Sequence, residues 1–552
     1  MLGAMTRAIH SSTRLFAVAV TVGVALLAGC TARTNVGATG AAPADVEHLW
    51  VTVEELWFAQ AADTPPEADT GWTRKSLANP VVIDLANVEP GMLVPLVTNL
   101  SVSAGTYRQL HLGLADAADP LLDGARAVGL QYNAQIDTRE DDGSLRKAPL
   151  ELPVPRAGLT IPVDLELKNA DDSGGTGASA SDITNLAVTL DGAQGVITYE
   201  YGANTGYLLS PGVSVVDAAA AGEIRGRVDT TALASGHPAI FVSAQQIDAA
   251  ARHRVVVQRR KVAADGSFSL YPLPAAKKGT TLYDVVIASA GADTVVVRDV
   301  PVTAGTEVTT LQSTPVMLTA ARTVYADVAA SPVVLPAGTR LEFHQTLPGR
   351  DQLPFVIDGT ALDPDTRQLP GAAFALAAGS LVAGDYAGGN AVSFVVDTPA
   401  EGIGGYLVGS TGLYRSATFA ANPVEVSGTS SRPTLVAAPF PQIAAGGGAG
   451  RLTVNLLVPS GRYDSGFLAV QAAHGLVETV RVDALLRLGG GSLIIDGLPA
   501  GSELAPLAGV SYQVSLRAWN SRNAAGTITR IAGPASVTLG DAGFGALQLQ
   551  VQ

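Results

Sequence analysis

Gly266-Ser267-Phe268-Ser269-Leu270-Tyr271-Pro272-Leu273-Pro274 is matched far downstream by Gly491-Ser492-Leu493-Ile494-Ile495-Asp496-Gly497-Leu498-Pro499, with the same spacing throughout. A strand pattern follows each, Tyr283-Asp284-Val285-Val286-Ile287 or Tyr512-Gln513-Val514-Ser515-Leu516. Beyond that come Arg298 and Pro301, or Arg530 and Pro534, then a turn glycine, Gly305 or Gly540, and a last strand. Self-similarity of this kind implies two modules of one fold. A segment between them ends on Pro423, Val424, Val426 and Gly428, which suggests a third, more divergent copy. The three glycines are spaced at about the size of a small β-sandwich.

Outward from the repeats, alternation with a period of two dominates. Leu159, Ile161, Val163, Leu165 and Leu167 alternate with Thr160, Pro162, Asp164 and Glu166, the pattern of a strand with one buried face. Leu110, Leu112 and Leu114, then Leu341 and Phe343, then Leu547, Leu549 and Val551 follow the same rule. Helical periodicity is scarce, and Val477 to Leu488 fits a strand pair as well as a helix. The 552 residues exceed one core and predict several domains. With 47% hydrophobic and 15% charged residues the chain is not disordered, and 60 Gly with 32 Pro suit short strands joined by tight turns.

The N-terminus predicts location. Arg7 and Arg14 precede the uncharged run Leu15 to Leu27, which leads into Ala28-Gly29-Cys30. Thirteen residues of helix reach about 20 Å, short of a hydrocarbon core of roughly 30 Å, so this run reads as a signal-peptide core and not as a membrane span. Cys30 is the one cysteine of the chain, and Leu27, Ala28 and Gly29 before it resemble the lipobox of bacterial lipoproteins. That resemblance implies cleavage before Cys30, acylation of Cys30 by chains such as palmitate, and membrane attachment, with Thr31 at the next position resembling the outer-membrane signal. The alternative is an ordinary signal peptide that leaves a free thiol near the new terminus. Residues Thr31 to Asp45 are small and polar and are expected to form a flexible tether.

Three of the four tryptophans, Trp50, Trp57 and Trp72, crowd the start of the first domain. They are the candidate binding residues, because exposed aromatic faces stack on sugars or anchor interfaces, although burial in a core is the commoner fate. The histidines are isolated, and His111 and His344 fall on polar strand faces where exposure is expected. No Gly-x-Ser-x-Gly elbow and no phosphate-binding glycine loop occurs. Asp137, Glu140, Asp141 and Asp142 share a polar turn, but Arg139 stands where a calcium loop needs its third-position ligand and Ala148 where it needs the closing glutamate. Asp363 and Asp365 form a second acidic turn. No catalytic residue, metal or cofactor is therefore assigned. The net charge of −14 and the lack of a basic stripe argue against nucleic acid. The one basic run, Arg259-Arg260-Lys261, reads as a solvated strand end.

Two family resemblances complete the reading. Asp265-Gly266-Ser267-Phe268-Ser269-Leu270 with Leu273-Pro274, opened by Gly222-Glu223-Ile224-Arg225-Gly226-Arg227-Val228, resembles the carboxypeptidase regulatory-like (transthyretin-like) β-sandwich, and residues 446–552 resemble it more weakly. That family implies a non-catalytic spacer or binding unit. The stretches Val51 to Phe58, Trp72 to Leu85, Ser103 to Leu112 and Leu208 to Val213 resemble the bacterial lipoprotein domain-of-unknown-function family numbered 4382. The expected organisation is all-β: a lipoprotein signal peptide at 1–29, a lipidated Cys30 with its tether at 30–45, and a β-rich domain at 46–217. Tandem β-sandwiches then follow at 218–320, 321–442 and 443–552. The expected function is tethering or presentation by a non-catalytic envelope lipoprotein, projecting as a rod and anchored through Cys30. The alternatives are a carbohydrate- or peptide-binding lipoprotein using the first domain, or an adhesive or enzyme-associated protein. An envelope-protein or glycan partner remains unnamed by the sequence.

Overall fold

The computed structural model describes residues 31–550 apart from a set of loops, the longest being 170–182, 330–339, 346–354, 362–373, 437–447, 501–509 and 521–528. Cys30, the lipobox residues Leu27, Ala28 and Gly29, and the acidic turn at Asp363 and Asp365 lie outside the described residues. The fold is all-β, with the strands distributed over several separate sheets.

The first domain comprises β1 (Thr31–Ala41), β2 (Val46–Ala59), β3 (Trp72–Asp84), β4 (Val94–Ser103), β5 (Gly105–Leu114), β6 (Gln135–Arg139), β7 (Leu145–Glu151), β8 (Leu159–Leu167), β9 (Ile183–Asp191), β10 (Val196–Tyr201), β11 (Asn204–Leu209) and β12 (Gly212–Asp217). One sheet has the order β12-β9-β1-β4. The other runs β10-β11-β7-β6-β2-β5-β8, with β3 added along β2. Leu56, Phe58, Leu110, Leu112 and Ile161 enter the core from the larger sheet, where Val36, Val188 and Leu190 of the smaller one meet them. The alternation at Leu159 to Leu167 is realised in β8, whose Ile161, Leu165 and Leu167 are buried.

The expected tether is instead β1, a central strand. It pairs antiparallel with β4 from Thr31↔Ser103 and parallel with β9 through Ala41↔Asp191. Its small residues have a packing cause. A Cβ at Gly40 would come within 2.4 Å of Leu85 Cδ2, and one at Gly37 within 2.9 Å of Leu93 Cβ. Leucines lie directly on the β1 backbone, so the strand is small because it is covered.

The modules share one topology. The first contains β13 (Ala221–Asp229), β14 (Phe241–Asp248), β15 (His253–Lys261), β16 (Ser267–Pro274), β17 (Thr280–Ser289), β18 (Ala292–Thr303), β19 (Val308–Thr310) and the short β20 (Val316–Met317). The second contains β21 (Arg322–Ala329), β22 (Arg340–Gln345), β23 (Phe355–Ala361), β24 (Phe374–Ala378), β25 (Leu381–Gly388), β26 (Ala391–Asp397), β27 (Ile403–Thr411), β28 (Tyr414–Val426) and β29 (Thr434–Val436). The third contains β30 (Gly448–Leu457), β31 (Ser465–Ala472), β32 (Gly475–Arg481), β33 (Gly490–Ala500), β34 (Val510–Trp519), β35 (Thr529–Leu539) and β36 (Phe544–Gln550).

In each, the opening strand (β13, β21 or β30) lies between an antiparallel partner (β16, β24 or β33) and a parallel closing strand (β19, β29 or β36). The facing sheets run β15-β14-β17-β18, β23-β22-β27-β28 and β32-β31-β34-β35. Register equates the two quoted motifs residue for residue, since Ile224 pairs with Leu270 as Leu452 pairs with Ile495. Leu270, Leu273, Ile495 and Leu498 are all buried. Gly266 is required by its turn, with φ of 81° and a Val228 carbonyl oxygen 2.3 Å from where a Cβ would stand. The ambiguous Val477 to Leu488 divides between β32 and a short helix α1 (Asp483–Leu488).

The modules are not separate beads. The β25–β26 hairpin of the second leaves its own sandwich and adds β25 in parallel to β18, from Val295↔Val382 to Arg298↔Asp385. The sheet of the first module thereby has six strands, and the 320/321 boundary runs through a shared body.

Candidate functional site

The sequence-derived candidates converge on the outer face of the larger sheet of the first domain. Because β2 alternates, Leu56 and Phe58 enter the core and Trp57 points the other way. Register then sets Arg74 of β3, Trp57 of β2, His111 of β5 and Thr160 of β8 in one row across four strands. Trp57 is sandwiched. The Arg74 guanidinium lies 4.3 Å from its ring centroid, and the His111 ring stacks on it at 4.4 Å and 23°. Trp72 meets both rings edge-on, at 5.9 Å from Trp57 and 5.8 Å from His111. The Trp57 Nε1–H donates to Glu55 Oε2 at 2.7 Å, and the Ser76 hydroxyl donates to Glu55 Oε1 at 2.9 Å. Trp50 lies elsewhere on β2, half-buried and stacked on His48, whose Nδ1 is 2.6 Å from Asp84.

His111 corrects the expectation of an exposed histidine. It is fully buried, and burial, reinforced by the nearby Arg74 charge, lowers its pKa to about 3. Its Nδ1 is 2.8 Å from Thr160 Oγ1. Burial thus holds the imidazole neutral near pH 7, where it shares a hydrogen bond with the Thr160 hydroxyl across the row. His344 is buried too, with Nε2 2.9 Å from Glu342 Oε2. A polar strand face is exposed only where no rings or neighbouring module cover it, and alternation alone does not report the cover.

As a ligand platform the cluster is mostly closed. Trp57 is buried with both faces occupied, and Trp72 is half-buried beside the exposed Arg74 and Ser76. The acidic turn belongs to the β6–β7 hairpin. Asp137 is buried and accepts from Gln135 Nε2 at 2.7 Å, and Asp142 accepts from the Ser144 backbone N–H at 2.8 Å. Among the described residues no group of three His, Cys, Asp or Glu side chains is placed to hold a metal ion.

Sequence reasoning missed the contacts between modules. Of the run Arg259-Arg260-Lys261, expected to be a solvated strand end, only Lys261 is exposed. Alternation along β15 sends Arg259 to one side, where it is buried over the Phe241 ring at 4.4 Å and donates to Asp358 of the second module at 3.3 Å. Arg260 goes to the other side and donates to Thr39 Oγ1 of β1 at 2.7 Å; burial lowers its pKa to about 10, which leaves it charged. Lys261 donates to the Ala44 carbonyl at 3.3 Å. Three consecutive cations thus join three parts of the chain.

A second buried junction links the far ends. Arg517 of β34 pairs with Glu151 of β7 and donates to the Leu152 carbonyl at 2.7 Å, while Phe467, Ala469 and Trp519 pack on Ile197 and Leu208. The third sandwich therefore docks on the first domain, and the chain closes on itself where a rod was expected. The signal for these junctions was the placement of arginines on otherwise apolar strands, which in isolation reads as solvation.

Residues 31–211 match the family described as domain of unknown function DUF4382, so the match begins with β1 and not after a tether. No curated protein matches the chain. Among solved structures, the pilus adhesin SpaC of Lactobacillus rhamnosus GG in its open conformation is similar at 12% identity over 76% of this chain and 52% of that one, with a TM-score of 0.15. Another crystal form of the adhesin gives 10% identity over 92% and 57%, with a TM-score of 0.14. A streptococcal ancillary pilin gives 10% over 60% and 99%, with a TM-score of 0.11. The chain spans about half the length of the adhesin it matches.

Proposed function

We propose that this chain is a non-catalytic cell-envelope lipoprotein, held to a membrane through acylated Cys30, in which the first domain is a base and the three sandwiches form a braced block for presentation. The observation that carries this reading is the set of buried and half-buried junctions. Arg517 with Glu151 and Arg260 with Thr39 fix two different modules to the first domain, and Arg259 with Asp358 fixes the first module to the second. Charged groups desolvated at such contacts favour one arrangement of the modules over a flexible string.

Cys30 directly precedes Thr31, the residue that opens the pairing of β1 with β4. One residue extends at most about 3.6 Å, so acylation would seat the first domain on the bilayer surface with no spacer. Two or more acyl chains give durable anchoring, at about 0.8 kcal/mol per buried methylene. The outer membrane is the proposed location, on the strength of Thr31 after the cysteine.

Membrane fractionation of cells carrying wild type or Cys30→Ser, combined with protease shaving, tests the proposal. Membrane-bound wild type and a released variant are expected, and equal release of both would refute the anchor. Shaving of the wild type would direct the search to external partners, and protection would direct it to periplasmic ones. A second reading is glycan binding at the first domain, with the half-buried Trp72 beside the exposed Arg74 as the candidate contact. Retention on a glycan affinity gel that Trp72→Ala abolishes would support it, and equal retention would sink it.

A further inference from the structure

The same sheet of the repeated sandwich is covered in one copy and bare in another. In the first module, Glu223 and Ser269 on the outer face of β16-β13-β19 are buried, and the first domain lies over them: a Cβ on Gly91 would come 2.8 Å from Glu223 Oε1 and 3.1 Å from Ser269 Oγ. In the third module, register places Arg451 and Ile494 at the equivalent positions on β33-β30-β36. There the face is open. Arg451 and Asp496 are 52% and 60% exposed, Ile494 54% and Phe544 72%.

The side chains stand in register. Asp496, Arg451 and Phe544 form one row across the three strands, and Ile494, Thr453 and Ala546 form the next. Arg451 Nε donates to Asp496 Oδ1 at 2.5 Å within the first row. One cation and one anion side by side, with apolar groups next to them, make a patch that is complementary to itself. A two-fold axis parallel to the strands, between β30 and β33, sets Arg451 over Asp496 of a second copy and Asp496 over its Arg451. The same operation sets Ile494 over Thr453 of the second copy and carries Phe544 past the edge of its β33.

We propose that the outer face of β33-β30-β36 is an isologous self-association surface whose occupant is the same face of a second copy of this chain. Strand spacing and rise give an overlap on the order of 400 Å² per copy, below the standard interface size, so the dimer is weak in free solution. Confinement of anchored copies to one membrane would raise their effective concentration and populate it.

Sedimentation equilibrium of the purified chain to about 100 μM, a range suited to so small an interface, tests the proposal. A concentration-dependent dimer is expected. Arg451→Asp leaves two anions on the face and Asp496→Arg leaves two cations, and each variant alone should dimerise roughly tenfold more weakly or worse. An equimolar mixture of the two variants should form a heterodimer, because each then meets the opposite sign. Both side chains are exposed, and unchanged circular dichroism of the variants would confirm that folding is intact. A strictly monomeric wild type, single variants that dimerise like wild type, or a mixture that stays monomeric would each overturn the proposal.

Discussion

Gly40→Val separates a covered strand from a tether. The glycine lies in β1, where the first Cβ of any side chain would stand 2.4 Å from Leu85 Cδ2, 2.8 Å from Leu85 Cβ and 3.0 Å from the Leu190 carbonyl oxygen. Leu85 is 1% exposed and cannot swing into solvent. Overpacking of this kind costs about 1–3 kcal/mol, whereas the same change in a solvated tether would cost almost nothing. With a urea m-value near 2 kcal/mol/M, the unfolding midpoint should fall by roughly 0.5–1.5 M. Several cores need not unfold together, so the probe must report the first domain. Tryptophan fluorescence does so, because Trp50, Trp57 and Trp72 lie there and only Trp519 lies outside it. Leu85→Ala alone should cost about 2–5 kcal/mol through its cavity. In that background the 2.4 Å contact with Leu85 Cδ2 is gone while the contacts with the retained Cβ at 2.8 Å and the Leu190 carbonyl oxygen at 3.0 Å persist, so the second substitution should still cost stability but less than in the wild type, a coupling of about 1 kcal/mol. An unchanged midpoint for Gly40→Val, or strict additivity of the pair, would refute the assignment of β1 to the core.

Three further outcomes follow from buried groups and one turn. Arg517→Ala removes the ion pair with Glu151 and the hydrogen bond to the Leu152 carbonyl from the junction between the third sandwich and the first domain, and should weaken docking by up to about 3–5 kcal/mol. Trp519 should then become open to acrylamide, and unchanged quenching would contradict the junction. His111 has a folded pKa of about 3 against 6.5 in its ordinary state, so the unfolded chain takes up the proton first. Its contribution is full above about pH 6.5 and is lost as pH falls, at about 1.4 kcal/mol per unit down towards pH 3. His111→Gln should flatten that slope in pH-dependent denaturation. Gly266→Ala and Gly236→Ala make a matched pair, since φ is 81° and 77° but only Gly266 has backbone in the way. Gly236→Ala should cost about 1 kcal/mol from backbone conformation, and thermal unfolding should show a clearly larger loss for Gly266→Ala.

The amino-acid sequence by itself determined the strands and the repeats. Alternation at Leu159 to Leu167 and the paired motifs at Gly266 and Gly491 record which side of each strand is apolar and where each turn needs glycine, and both are local requirements. The divergent middle copy was legible from its terminal Pro423 to Gly428 alone, although its β25–β26 hairpin, which joins a neighbouring sheet, was not. Only the tertiary structure decided what covers each polar or small residue. Thr31 to Ala41 has the composition of a tether, yet Leu85 and Leu93 lie on its glycines. Arg259 and Arg260 look solvated until β15 directs them to different neighbours, and His111 looks exposed until Trp57 and Trp72 close over it. Hydrophobic periodicity reports a strand's own two faces. Burial of small and charged groups depends on chain segments tens to hundreds of residues away, and a one-dimensional pattern carries no term for them.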